Sequence, residues 1–252
     1  MKKRKYKPID KNNAFEKQLL SYEEYFDNSK ATIAEKLSAF PKYVPRQALT
    51  TFLVKTDLFK KILNLHGSIV ECGVHFGGGL LTFAKLSSIF ETVNTTRKII
   101  GFDTFSGFPE LSVHDKDSDP NYAYKGGLSL PSSFEDLQEC IKVYNSDRFV
   151  NHIPKIELVK GDATKTIPKY LKDNPQTIVS LLYLDFDIFK PTKVALENFV
   201  PRIPKGGIIA FDELNDKSWA GETIALLKTY GVRDWRIERF SYDNRTSYAV
   251  LD

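Results

Sequence analysis

The chain has 252 residues, 42% hydrophobic and 27% charged, a balance that suits a globular protein with one large α/β domain or two small ones. No apolar run approaches the ~18 residues of a membrane span, and the basic start lacks the apolar stretch of a secretory signal, so a cytoplasmic protein with no membrane partner is expected. The formal net charge is a mild +4, and the two cysteines, Cys72 and Cys140, provide neither a disulfide framework nor a metal-ligand spacing.

Residues 1–12 contain Lys2-Lys3-Arg4-Lys5-Tyr6-Lys7 and read as a disordered, solvated basic tail. No aromatic-interleaved basic patch follows, so no nucleic-acid partner is expected. Residues 13–66 read as an N-terminal helical cap. Phe15, Leu19, Leu20, Tyr22, Tyr25, Phe26, Ile33, Leu37 and Phe40 keep helical period over one or two helices, and Pro41 and Pro45 interrupt it. Leu49, Phe52, Leu53, Leu58, Phe59, Ile62 and Leu63 resume it over Ala48–Leu65, until His66-Gly67 ends the helix.

From residue 67 to 252 strands and helices alternate. Strands are expected at Ser68–Gly73, Lys98–Asp103, Lys155–Lys160, Thr177–Asp185 and Gly207–Asp212. Helices are expected at Gly79–Phe90, Phe134–Tyr144, Thr164–Lys172, Pro191–Phe199 and Glu222–Tyr230. The almost wholly apolar Thr177–Asp185 suits a strand in mid-sheet with both faces covered. Trp235–Phe240 and Ser247–Leu251, joined by Tyr242–Thr246, read as a terminal hairpin. Alternation argues for a parallel sheet with right-handed crossovers, and the hairpin demands a reversal. The expected fold is therefore α/β: a mostly parallel seven-stranded sheet with an antiparallel last strand, the Rossmann-like arrangement of class I methyltransferases. The irregular stretch 104–132 is longer than a plain connection and reads as a lid, with Phe105, Phe108, Tyr122 and Tyr124 suited to covering a polar substrate.

In an open parallel sheet, ligands bind beyond the carboxyl ends of the strands, and here every one of the five alternating strands ends in an acid. The first runs Ile69-Val70-Glu71-Cys72-Gly73-Val74-His75-Phe76-Gly77-Gly78-Gly79, a strand, an acid and a glycine turn opening a helix. Glycine lets the backbone approach a ligand. Glu71 suits a positive group or a hydroxyl donor, such as the amino group of S-adenosylmethionine, where a phosphate-cradling loop would want amides and a lysine. Asp103, followed by Thr104 and Ser106, is placed to hold ribose hydroxyls. Asp162, within Gly161-Asp162-Ala163, could reach an adenine amine or simply cap the next helix. Asp185, Asp187, Asp212 and Glu213 gather so much negative charge that a cation is wanted between them. Oxygen ligands suit Mg²⁺, held by Asp185, Asp212 and Glu213. Asp187 is read as facing away from them on an extended strand, which makes it the poorer ligand candidate. His75 and Asp185 are the acid–base candidates; His66, His114 and His152 read as ordinary helix-end and loop histidines.

Four separated motifs, Ile69–Gly78, Gly101-Phe102-Asp103-Thr104-Phe105-Ser106-Gly107-Phe108-Pro109, Leu184–Phe189 with Thr192, and Phe211-Asp212-Glu213, resemble the macrocin/mycinamicin-type sugar O-methyltransferase family from about Val44 onward. The resemblance implies S-adenosylmethionine as methyl donor, Mg²⁺, transfer to a hydroxyl of a deoxysugar, nucleotide sugar or related small molecule, and a homo-oligomer. It carries the cofactor turn onto Glu71, Gly73 and Gly77, the ribose acid onto Asp103, and the metal acids onto Asp185, Asp212 and Glu213; Val74, His75 and Gly78 in the same turn, and Asp185, are further candidate cofactor contacts. Two positions depart from the family pattern: Glu213 where a second Asp is frequent, and Phe189 where Tyr is frequent. Two rivals are a nicotinamide-dependent sugar oxidoreductase or epimerase and a non-catalytic cofactor-binding protein. Gly-Val-His-Phe-Gly-Gly at 73–78 lacks the dinucleotide fingerprint, and the complete set of rim acids argues against decay.

Overall fold

The computed structural model describes residues 13–252, and the basic run expected to form a tail lies outside the described residues. Among the described residues, those up to Leu53 form one compact unit and Val54–Asp252 another. In the first unit, α1 (Ala14–Asn28) starts where the Asn13 side chain accepts from the amides of Phe15 and Glu16. A capping box between Thr32 and Glu35 opens α2 (Ile33–Ser38). The rings of Tyr25 and Phe26 pack on Tyr43 at 5.6 and 5.5 Å. The third helix, α3 (Arg46–Lys61), begins in this unit and ends in the next. No helix of the described residues is long and apolar enough to cross a membrane.

The second unit is built on β1 (Ser68–Cys72), α4 (Gly78–Phe90), β2 (Ile99–Asp103), α5 (Ser133–Ser146), β3 (Ile156–Lys160), α6 (Ala163–Asp173), β4 (Val179–Leu184), α7 (Phe189–Phe199), β5 (Ile208–Phe211), α8 (Gly221–Thr229), β6 (Ile237–Arg239) and β7 (Ser247–Val250). The sheet order is β3-β2-β1-β4-β5-β7-β6, with β7 antiparallel to both of its neighbours and the other pairs parallel. This is the expected seven-stranded sheet. The strands are shorter than their apolar runs suggested, because β4 stops at Leu184 and β5 at Phe211, releasing the acids that follow into loops.

Side-chain alternation assigns each strand to two cores. Ile69, Ile99, Leu181 and Tyr183 pack with Leu58 and Phe59 of α3, Ile62 just beyond it, and Leu80 and Phe83 of α4. Val70, Ile100, Phe102, Leu182 and Leu184 face Ile167, Leu196, Phe199 and Leu226 of α6, α7 and α8. All six residues of β4 are buried, as a strand covered on both faces must be. At the amino ends of the strands, the buried Arg97 donates to the carbonyls of Ile62, Leu65 and Gly67 and pairs with Glu91.

β1 is flanked by β2 on one side and β4 on the other, so the winding reverses between β1 and β4. There the two strand ends close tightly: Asp185 N donates to Cys72 O at 2.8 Å. A Cβ on Gly73, whose φ is +95°, would stand 1.9 Å from the Asp185 carbonyl oxygen. Left-handed strain and a backbone clash together predict that Gly73→Ala loses about 2–4 kcal/mol. Urea unfolding of the variant beside wild type measures it.

Candidate active site

The glycine turn after β1 is held open by left-handed backbone at Gly73, His75 (φ 50°) and Gly77 (φ 84°), the last forming the N-cap of α4. Asp103 at the end of β2 reaches across to it. Its Oδ2 accepts from the amides of Val74 and His75, each at 2.8 Å, and its Oδ1 from Phe105 N at 2.7 Å. The acid read as a ribose holder is thus also the tie that shapes the turn. Thr104 closes the next bend, donating from Oγ1 to Gly107 O at 2.6 Å and accepting from Ser106 N at 3.1 Å. Gly161 N donates to Asp103 O, which brings the Gly161-Asp162-Ala163 corner onto the same rim. Asp162 is the N-cap of α6, accepting from Thr164 N and Thr164 Oγ1. His75, Phe76 and Gly78 are exposed along the turn.

Glu71 sits beneath this turn and is 2% exposed. Its Oε1 lies 3.6 Å from Lys55 Nζ, and its buried Oε2 has no hydrogen-bond partner. Burial pushes the Glu71 carboxyl up to about 7 against the opposing pull of Lys55. Lys55 also lies 3.3 Å from the ring centroid of Tyr183 and 5.4 Å from that of Phe83. No spacing rule had marked Lys55. The signal was there, however: Lys55 shares the apolar stripe of Leu58, Phe59 and Ile62, where a lysine needs a buried partner.

The acids after β4 and β5 converge. Asp212 N donates to Leu184 O at 3.0 Å, joining the two strand ends. Burial, with Asp212 and Asp187 close by, drives the Asp185 carboxyl well above the usual carboxylate range. Burial and Asp212 push Asp187 up to about 7. The expectation that Asp187 faces away is corrected: residues two apart on an extended strand share a face, and here, beyond the end of β4 at Leu184 and with φ 62°, Asp187 lies close to Asp185 and Asp212. Glu222, fully buried in the first turn of α8, is a further member: Glu213 N donates to its Oε2 at 3.4 Å, and its carboxyl is raised by burial, Asp187 and Asp212. Nothing in its sequence position separates Glu222 from an ordinary helix-start acid.

Positive charge reaches this cluster from the hairpin. Arg245 Nη2 lies 3.3 Å from Asp212 Oδ2 and contacts Glu213 Oε1. Tyr183 OH donates to the other Asp212 oxygen at 2.9 Å. Glu213 is 4% exposed, and its Oε2 is buried without a partner. The donor chemistry fits a hard divalent cation: crowded carboxylate oxygens, one of them, Glu213 Oε2, buried without a partner. In the conformation described, the guanidinium stands between Asp212 and Glu213. Among the described residues no three acids, histidines or cysteines enclose an ion-sized position.

The stretch 104–132 folds over the same edge. Phe108 and Gly127/Gly126 exchange backbone hydrogen bonds at its neck. The one helical turn within it, Val113–Asp115, carries its anchor: Asp115, 2% exposed, accepts from Phe189 N at the start of α7 on Oδ1 and from Ser112 on Oδ2. The rings of His114 and Phe189 meet at a tilt with centroids 4.3 Å apart, and Phe108 meets Trp219 at 5.9 Å. Asp115→Ala is expected to speed proteolytic cleavage within 104–132 several-fold while leaving the urea midpoint of the whole protein nearly unmoved, since loop contacts open locally.

The raised Glu71 pKa fixes a pH dependence. An unfolded glutamate titrates near ~4.3, so between about pH 4.5 and 7 the folded state holds a proton that the unfolded chain has released. This contribution is full below the unfolded value and is lost as pH rises through the folded one. Glu71→Gln should therefore flatten the loss of stability between pH 5 and 7, by on the order of 1–2 kcal/mol, in urea midpoints taken at each pH.

Comparison with known proteins agrees with this geometry. The family model of macrocin-O-methyltransferases (TylF) matches residues 53–229. Over 160 residues the chain is 27% identical to the 8-demethyl-8-(2,3-dimethoxy-α-L-rhamnosyl)-tetracenomycin-C 4'-O-methyltransferase of Streptomyces olivaceus, covering 58% of this chain and 52% of that one. The chain therefore spans about half the length of that curated relative. Among solved structures, the calicheamicin methyltransferase CalS11 is 32% identical over 99% of both chains, with a TM-score of 0.90. The apo form of CalS11, described as a TDP-rhamnose 3'-O-methyltransferase, is 31% identical over 96% of both chains, with a TM-score of 0.81. The O-methyltransferase NovP shares the fold at 16% identity and a TM-score of 0.55, over 79% of this chain and 78% of its own. The matched span runs from the Lys55–Glu71 pair through the glycine turn and the rim acids to Glu222, and by that match the chain belongs to the macrocin-O-methyltransferase family.

Proposed function

We propose that this protein is an S-adenosylmethionine-dependent O-methyltransferase. Its acceptor is a hydroxyl of a deoxysugar, nucleotide sugar or related small molecule, and Mg²⁺ is its metal. The observation that carries the reading is the juxtaposition of the glycine turn tied by Asp103 with the acid cluster of Asp185, Asp187 and Asp212 across the β1–β4 reversal. The relatives named for methyl transfer to rhamnose-bearing substrates support the sugar acceptor.

When bound, S-adenosylmethionine supplies the methyl group, and a divalent ion would supply Lewis-acid polarisation of the accepting hydroxyl. The chain's own residues do the rest. Gly73, Val74, His75, Gly77 and Gly78 bring backbone against the cofactor, and Glu71 lies beneath them with one oxygen to spare. Asp103, with Thr104 and Ser106, faces the ribose end, and Gly161-Asp162-Ala163 the adenine end. Asp185, Asp212 and Glu213 would hold the ion. Asp187 joins Asp185 and His75 as a group able to take the hydroxyl proton. The loop 104–132 covers the edge and limits water. Holding oxygen and methyl carbon in line accounts for much of the expected acceleration.

Calorimetric titration with S-adenosylmethionine is the direct test. Saturable one-site binding at micromolar concentration or tighter is expected, and no heat at two temperatures overturns the cofactor assignment. With a TDP-deoxysugar as acceptor, EDTA should abolish turnover and Mg²⁺ restore it. Asp185→Asn should lower kcat by on the order of 10²-fold or more.

A further inference from the structure

The turn of the β6–β7 hairpin places one arginine in the middle of the proposed ion site. Arg245 touches both Asp212 and Glu213, the two acids read as metal ligands after β5. Its side chain is 56% exposed, while those of Asp212 and Glu213 are 19% and 3% exposed. The charged head therefore reaches inward from a solvent-facing turn. Asp212 has both oxygens engaged, Oδ1 by Tyr183 and Oδ2 by Arg245. The turn that carries Arg245 is held on its own by Thr246 N donating to Asp243, so Arg245 is not needed to close it.

Buried carboxylates left without a positive partner are strongly destabilising. A guanidinium is a compact answer when no metal is bound, because it can bridge two carboxylates at once. A divalent ion shared by Asp212 and Glu213 would need the space between them that the guanidinium holds. Like charges a few ångströms apart in a poorly solvated site repel strongly. The exposed side chain of Arg245 has an open route to solvent.

We infer that Arg245 is a tethered internal cation that neutralises Asp212 and Glu213 in the metal-free protein and is displaced into solvent when a divalent ion binds. The inference rests on the proposed ion site and adds a competitor to it. It also gives the Arg245 side chain two states, one paired with the acids and the other free in solvent.

The experiment is Mn²⁺ titration of the full chain, read by the loss of the free-ion electron paramagnetic resonance signal, for wild type, Arg245→Gln and Arg245→Lys. Arg245→Gln is expected to bind Mn²⁺ on the order of tenfold more tightly than wild type, equal to about 1.4 kcal/mol. Arg245→Lys, which keeps the charge, should stay near wild type. The metal-free Arg245→Gln protein should melt at a lower temperature than wild type and gain more from Mn²⁺. A second readout needs no variant: phenylglyoxal should label Arg245 of the wild-type protein faster once Mn²⁺ is added, as followed by mass spectrometry. Equal or weaker Mn²⁺ binding by Arg245→Gln, with wild type still saturating, overturns the inference and leaves the ion site standing; Arg245 would then orient the ligands. Unchanged phenylglyoxal labelling on Mn²⁺ loading overturns it likewise. No Mn²⁺ binding by either protein, both folded and both binding S-adenosylmethionine, removes the ion site and the displacement together.

Discussion

Charge compensation for buried carboxylates is the constraint on which the rest of this site depends. A parallel sheet delivers the carboxyl ends of its strands to one rim, and here each of β1 to β5 carries an acid at or just beyond that end. Glu71, Glu213 and Glu222 are almost entirely shielded from water, and Asp185 and Asp187 are driven upward in pKa by burial and then by their neighbours. Such a group is tolerated only if positive charge reaches it. Two side chains bring that charge from outside the rim. Lys55 comes from α3 and meets Glu71; Arg245 comes from the hairpin and meets Asp212 and Glu213. Tyr183 stands between them, its ring against Lys55 and its hydroxyl on Asp212. The cofactor turn and the acid cluster therefore share one electrostatic system.

The sheet separates the work of holding the fold from the work of the site. At the amino ends of the strands, Arg97 saturates its donors on carbonyls and on Glu91, a rigid and fully satisfied corner. At the carboxyl ends, backbone is bent into left-handed conformations at Gly73, His75, Gly77, Phe105 and Asp187. Buried oxygens of Glu71, Glu213 and Glu222 there lack partners. Strain and unsatisfied polar atoms of this kind cluster where a protein binds ligands. Asp103 and Asp115 keep the region ordered, one fastening the glycine turn and the other the loop 104–132, each by accepting from main-chain amides.

The reading of Asp187 shows where pattern reasoning stops. Period-two alternation puts Asp185 and Asp187, two residues apart, on the same face, so setting Asp187 apart misapplied the rule. What the apolar run Thr177–Asp185 did not show is that pairing ends at Leu184 and that the chain turns at Asp187. Asp162 shows the opposite case. Both of its readings, cap and ligand, were open from its place before α6, and the cap is seen while its position on the rim stays the same. Lys55 was legible in principle, as a lysine in an apolar stripe. Arg245 was not, because a charged residue in a polar hairpin turn is what any solvated turn contains.

By itself the sequence determined the alternating α/β order, the buried central strand, the reversed terminal strand, and which strands end in acids. These follow from local periodicity and turn chemistry, which act over a few residues and survive in one dimension. Only the tertiary structure decided which cation meets which acid. Lys55 and Glu71 are neighbours in space because α3 packs on the face of β1 to which Glu71 points, and Arg245 meets Asp212 because β7 pairs antiparallel to β5. Coulomb interactions and burial depend on distance through the folded protein, and that distance has no counterpart in the spacing along the chain.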